Sequence, residues 1–326
     1  MESFGDGILA INEPKRVKCG APDYVVHNND FSVGYIEAKD IGISLDKVER
    51  SEQLERYLVS LDNLILTDYL EFRWYHNGQL REEARLARRT RDNKIRMDKN
   101  GEKDVISLLK NFLDQNPEPI KSARELSQRL ARLAHLIRNT IIKAFENEMA
   151  SSSLLNLRRA FAEVLIPEID RPEKTAEFAD MYAQTIVYGL FAARCNHQGP
   201  DRFQRLGAAR EIPKTNPFLR QLFDNITGTT LDDEPYVNYV DDLVQVLANT
   251  DIDSVLADFG KRTKQEDPVV HFYEGFLAAY DPKLREKRGV YYTPEPVVSY
   301  IVRSVDYILK TKFGLGGGLA DSSSID

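Results

Sequence analysis

The chain has 326 residues, of which 42% are hydrophobic and 29% charged, and a net charge of −7 at neutral pH. That balance belongs to a globular protein with room for two or three domains and excludes an intrinsically disordered one. No apolar run is long enough to span a bilayer, and no basic-then-apolar leader is visible. The two cysteines, Cys19 and Cys195, lie far apart and outside any CxxC pair, which excludes a disulfide framework and a zinc site. A reducing cytoplasm and no membrane partner are therefore expected.

Residues 1–100 read as mixed α/β. "YVVH" and "FSVGYIEAK" are strand-like and joined by the turn-forming "NND". "DKVERSEQLERYLVSL" has helical spacing, with Val48, Leu54, Leu58 and Leu61 on an inward stripe. "NLILTDYLEFRWYHNGQLREEARLA" predicts a buried strand, an Asn77-Gly78 turn and a returning strand. A small sheet with a helix packed on it is the expected domain of residues 1–101.

From residue 102 the pattern becomes helical. Five apolar-periodic segments follow between Lys103 and Asp251, punctuated by proline-rich breaks such as "NPEP" and "IPEIDRP", and Ser122 with Glu125 forms a capping box. Residues 102–285 therefore predict an all-helical domain, without a repeat of fixed period. In the last unit, 286–326, "TPEPVVSYIVRSVDYILK" predicts a helix with Pro296 near its first turn. "FGLGGGLADSSSID" reads as a linker.

Basic residues cluster despite the acidic total. Between Arg81 and Lys103 stand nine Lys or Arg against five Asp or Glu. Further sets run from Lys121 to Lys143 and from Arg202 to Arg220. Such faces can hold phosphates on an acidic protein, because charge is screened within about 8–10 Å. Singly, each is as consistent with a solvated helix face. Arg85, Arg88, Arg89 and Lys94 are the candidate phosphate contacts.

The strand-like segment ending in Glu37-Ala38-Lys39 carries the chemistry. Strand alternation puts Glu37 and Lys39 on one face, and Asp23 opens the preceding strand. Carboxylates on adjacent strands can share a hard cation, Mg²⁺ with Mn²⁺ as substitute, with the Ala38 backbone carbonyl as a further ligand. A lysine beside that metal can position water or neutralise charge on a phosphorane-like transition state. Glu13 is a possible additional acidic ligand. Gln53 and Tyr57, four apart, share one side of the predicted helix.

In this order the residues resemble the PD-(D/E)xK nuclease core: Pro22-Asp23, thirteen intervening residues, then Glu37-Ala38-Lys39. Gln53 and Tyr57 resemble the QxxxY motif of the RecB-like branch. "RGVYYTPEPVVSYIVRSVD", residues 288–306, resembles the lead-in to the N6-adenine DNA methyltransferase domain of single-chain restriction–modification enzymes. The resemblance implies an α+β nuclease-like mixed sheet with a packed helix, then a helical connector, then the start of a methyltransferase domain. It implies Mg²⁺-dependent hydrolysis of double-stranded DNA with Asp23, Glu37, Lys39, Gln53 and Tyr57 as site residues. The S-adenosylmethionine loop and the methyltransferase tetrapeptide are absent from these residues, as is a target-recognition domain, so that cofactor is expected only in a longer enzyme. Two alternatives stand beside this reading: an inactive nuclease-fold scaffold positioning a methyltransferase, and a nuclease for RNA or single strands.

Overall fold

The computed structural model describes residues 4–5, 7–12, 18–29, 31–90, 92–114, 119–198, 201–211, 217–260, 268–282 and 295–321. Glu13 and the "GVYYTP" stretch at 289–294 lie outside the described residues. No described helix is long and apolar enough to cross a membrane.

Strands β1 (Ile8–Ile11), β2 (Tyr24–Asn28), β3 (Phe31–Ala38), β4 (Asn63–Thr67), β5 (Glu71–His76) and β6 (Gln79–Arg85) form one sheet in sequential order. Every neighbouring pair is antiparallel except β3 and β4, which run parallel. Parallel neighbours need a crossover, and helices α1 (Leu45–Glu49) and α2 (Glu52–Ser60) supply it. The sequence reads as one helix here. Ser51 breaks it, its side chain accepting from Leu54 N (3.3 Å) to start the second.

The continuous apolar run "NLILT" is β4, buried at every position because both faces are covered. Leu64 and Leu66 enter the large core shared with the helical region, while Ile65 enters a smaller one with Val26, Trp74, Val105, Leu108 and Phe112. The last three belong to α3 (Gly101–Leu113), so this helix packs on the sheet although its sequence groups it with the helices that follow. Gly34 makes the close approach possible: a Cβ there would lie 2.6 Å from the Asn63 carbonyl oxygen and 2.8 Å from the Phe112 ring. The buried Asn63 amide donates to Val33 O (2.9 Å) and Phe112 O (3.0 Å) and accepts from Trp74 Nε1 (2.7 Å). All its polar capacity toward these partners is used, as a buried amide requires.

Two further differences concern chain direction. The segment 63–76, which reads as one strand, is two, broken at Asp68–Leu70, and β1 forms on residues whose sequence gives no strand signal. The Asn77-Gly78 turn lies where expected, with φ of 52° and 73°. A small hairpin, β7 (Ala87–Arg89) with β8 (Ile95–Met97), follows the sheet.

The described elements from residue 119 to 282 are helical: α4 (Ala123–Glu146), α5 (Ser152–Val164), α6 (Thr175–Asn196), α7 (Pro217–Thr227), α8 (Val237–Ala248), α9 (Ile252–Gly260) and α10 (Pro268–Tyr280). The long α4 and α6 form the middle, and rings fill the space around them, among them Phe191 stacked on Phe272 at 3.7 Å. Ser122 caps α4 through Glu125 N (3.3 Å). Helix α11 (Glu295–Lys312) packs against the turn that follows it, where Leu319 N donates to Asp306 Oδ1 (3.0 Å). The glycine segment is thus folded back on its helix where the sequence reads as a linker.

One core joins the sheet to these helices, and Tyr35 on β3 is its hinge point. Its hydroxyl donates to the Asp242 carboxylate of α8, and its ring lies 6.0 Å from that of Tyr239. Burial pushes the Asp242 carboxyl up to about 7 against the opposing pull of the Tyr35 and Ser32 hydroxyls, with Asp241 and Asp62 adding to the rise. A native carboxyl with a raised pKa keeps a proton that the unfolded chain releases near pH 4. Stability therefore declines as pH rises from about 4 to about 7. Asp242→Asn keeps an acceptor for Tyr35 and should flatten that decline, raising the melting temperature at pH 8. A variant that melts lower at pH 8 with the wild-type slope would show that the ionised carboxylate is needed there.

Candidate active site

The ladder between β2 and β3 ends in a side chain. Tyr24 pairs with Ile36, so the next antiparallel step sets Asp23 opposite Glu37. There Asp23 Oδ2 accepts from Ala38 N at 2.7 Å, replacing the backbone bond that would continue the ladder. On the other side Lys39 N donates to Thr67 O (2.8 Å), extending the parallel β3–β4 pairing past Ala38. The chain from 37 to 39 is therefore held from both flanks.

Glu37 is 3% exposed, on the same face of β3 as Tyr35. The Lys39 ammonium pairs with Glu37 Oε1, while Glu37 Oε2 is buried with no hydrogen-bond partner among the described residues. Burial raises the Glu37 carboxyl above the ordinary range; the Lys39 bond opposes that rise and the Asp23 charge adds to it. A buried oxygen without a donor is a disfavoured state unless a cation or donor takes it up. The residues fit a divalent cation in this respect: Glu37 Oε2 and the second Asp23 oxygen carry no hydrogen bond among the described residues. Among the described residues no group of three or more His, Cys, Asp or Glu gathers to hold a metal. Two carboxylates suit Mg²⁺, which keeps several waters, better than a metal that needs a full protein cage.

Gln53 and Tyr57 meet as their spacing predicts, but they serve the backbone. The Tyr57 hydroxyl donates to Gly20 O (2.7 Å) and accepts from Gln53 Nε2 (2.9 Å). Tyr57 is 1% exposed, and burial together with the Glu37 charge keeps its phenol protonated throughout the working pH range. The pair pins helix α2 to the loop that delivers Asp23, a positioning role.

Sequence reasoning missed the turn after β4. Thr67 Oγ1 donates to Glu71 O (2.7 Å) and accepts from Tyr69 N (2.9 Å). Asp68 Oδ1 accepts from Leu70 N (3.0 Å) and Glu71 N (2.8 Å), and its Oδ2 accepts from Gly42 N (3.2 Å). These bonds hold Tyr69 at φ 68°, a rare backbone for an aromatic, and leave it 48% exposed. The neighbouring Tyr24 hydroxyl, burial and the Asp23 and Asp40 charges raise the Tyr69 phenol pKa. Two tyrosines thus form a rim beside Asp23. The readable signal was Thr-Asp ahead of a turn, whose side chains compete for backbone donors.

Three of the four candidate phosphate contacts pair with neighbouring carboxylates: Arg85 with Glu71, Arg88 with Asp98 (3.1 Å) and Lys94 with Asp92 (3.3 Å). Arg89 makes no ion pair among the described residues, and its guanidinium lies over Gly42, just past Lys39.

No known protein family and no curated protein matches this sequence. Among solved structures, a cryo-EM structure of a DrdV–DNA complex is similar, with 20% identity and a TM-score of 0.36, over 98% of this chain and 29% of that one. The chain thus spans less than a third of that protein's length.

The strain at Glu37 has a measurable consequence. A carboxyl whose native pKa is raised destabilises the cation-free fold once pH exceeds its unfolded value near 4. Glu37→Gln, which still accepts from Lys39, should melt higher than wild type at pH 7 in EDTA. With a cation between Asp23 and Glu37, wild type should melt higher in millimolar Mg²⁺, and the variant should lack that rise. Equal Mg²⁺ stabilisation of both proteins would place the cation elsewhere.

Proposed function

We propose that the protein hydrolyses nucleic-acid phosphodiester bonds with a divalent cation held between Asp23 and Glu37. The observation that carries this reading is the buried, unpartnered Glu37 Oε2, placed beside a second carboxylate from the neighbouring strand and within reach of Lys39. A bound Mg²⁺ would supply positive charge to the phosphoryl oxygens and acidify water. The Lys39 side chain is 29% exposed, so its ammonium can leave Glu37 Oε1 and turn to the substrate phosphate as charge develops. Asp23, fixed through the Ala38 N–H, and Glu37 hold the cation; Tyr57 and Gln53 keep the Asp23 loop in register. Arg89, over Gly42 just past Lys39 and without an ion pair among the described residues, suits a phosphate of the bound strand.

Double-stranded DNA is the proposed substrate, on the resemblance of residues 288–306 to single-chain restriction–modification enzymes. On the same ground the helices after residue 119 would connect the nuclease to a methyltransferase, the unit to which S-adenosylmethionine would belong. A second reading, cleavage of single strands or RNA, is favoured by the exposed Tyr69 and its partner Tyr24, because an aromatic rim offers a stacking surface to an unpaired base.

Lys39→Ala should cut cleavage by at least about 100-fold while leaving the circular dichroism spectrum near wild type. The assay is Mn²⁺-dependent nicking of plasmid beside matched single-stranded and RNA substrates, which also separates the two readings. Undiminished cleavage by folded Lys39→Ala protein would remove that residue from the chemistry.

A further inference from the structure

The other end of the sheet opens into a groove of about 820 Å³, within the size range of small-ligand sites. It lies between the first residues of β3, the turn regions flanking β4 and β5, and helices α4 and α8. Ser32 and Tyr35 line it, whereas Glu37 does not. Along β3 the lining runs from Ser32, five steps and about 17 Å from Glu37, to Tyr35, two steps and about 7 Å from it, and stops short of the Asp23–Glu37 cluster.

Its lining is cationic. Arg81 from β6, Arg129 and Arg132 from α4, and Arg202 from the loop before α7 converge there, against Asp62 and Asp242. These positions are scattered along 120 residues, so the concentration is made by the fold. Two of the four are already engaged: Arg129 pairs with Asp62 (2.9 Å) and Glu125 (3.1 Å), and Arg202 donates to Asn249 Oδ1 (3.2 Å). Arg81 and Arg132 make no hydrogen bond or ion pair among the described residues. For Arg132, half-buried on α4, that is a disfavoured arrangement, because a partly desolvated guanidinium normally finds a carboxylate. The buried Nδ1 of His76, also in the lining, has no hydrogen-bond partner either. Asn28 and Asn77 add amides suited to sugar or base edges, while the Gln245 amide is taken up by the Ser32 backbone N–H and carbonyl.

We propose that this groove is a second phosphate-binding site, separate from the candidate active site, in which Arg81 and Arg132 grip the phosphates of a nucleotide unit while the amides contact its sugar or base. Guanidinium forks match phosphate oxygens two by two, and the half-enclosed lining strengthens that attraction over an open surface. The unit is either a free nucleotide or a stretch of nucleic-acid backbone, and the chemistry of recognition is shared. The proposal does not require the nuclease reading, since none of its residues belongs to the Asp23–Glu37 cluster.

The test is run on the full chain in EDTA, which silences a metal site. ATP and pyrophosphate are titrated by calorimetry, and a short labelled oligonucleotide by fluorescence anisotropy across a salt series. Arg81→Gln/Arg132→Gln is compared with wild type and with Asp23→Ala. ATP binding that falls about tenfold or more in the double variant and is unchanged in Asp23→Ala supports the site with a free nucleotide as ligand. Oligonucleotide binding alone, with a salt slope lower by about two in the double variant, supports it with backbone as ligand. Absence of binding by wild type at low salt, or affinities that the double variant leaves unchanged, overturns it. Should the double variant fail to fold, Arg81→Glu, at an exposed strand position, gives the same comparison.

Discussion

The hydrogen bond from Ala38 N to the Asp23 carboxylate is the contact on which the candidate site depends. It substitutes a side chain for the last rung of the β2–β3 ladder, and so it fixes Asp23 opposite Glu37 when the backbone pairing itself has ended. Everything nearby reinforces that placement. The Tyr57 hydroxyl holds the Gly20 carbonyl three residues upstream of Asp23, and Thr67 holds Lys39 from the neighbouring parallel strand. The outcome is two carboxylates close together, one of them buried with an oxygen left over. Such an arrangement is unfavourable for the fold alone, and violations of this kind concentrate where a protein binds something.

The sheet and the helices are not independent bodies in their packing. Tyr35, two residues from Glu37 on the same face, bonds Asp242 of α8, and the large core runs from Leu64 and Leu66 through Tyr57 into α4, α6 and α8. The strand that presents the site is therefore braced from behind by the helical region. The same junction leaves a polar groove, lined by arginines from the sheet edge and from α4.

Much of the site was legible in the sequence, because its signals are local. Alternation on β3 placed Glu37 with Lys39, helical spacing placed Gln53 with Tyr57, and Asn77-Gly78 marked its turn. What was hidden depends on contacts between distant segments or on competing side chains. An unbroken apolar run carries no period, so the break at Asp68–Leu70 was invisible, although Thr67 and Asp68 make it by capping backbone donors. Helix α3 reads like the helices after it; only Gly34 and Asn63, far away in sequence, decide that it covers the sheet. The four-arginine groove has no sequence spacing at all. Glu13 and the methyltransferase-like residues 289–294, by contrast, lie outside the described structure and keep the standing that the sequence gives them.

The central claim is that Asp23 and Glu37 form one cation site. Calorimetric titration of Mn²⁺ into the full chain at pH 7.5, beside Asp23→Ala and Glu37→Ala, tests it most directly. The account predicts saturable binding by wild type that either substitution abolishes, with both variants still folded. Binding that survives in both, or none in wild type, would contradict it and leave the short strand pair as a structural feature without a metal.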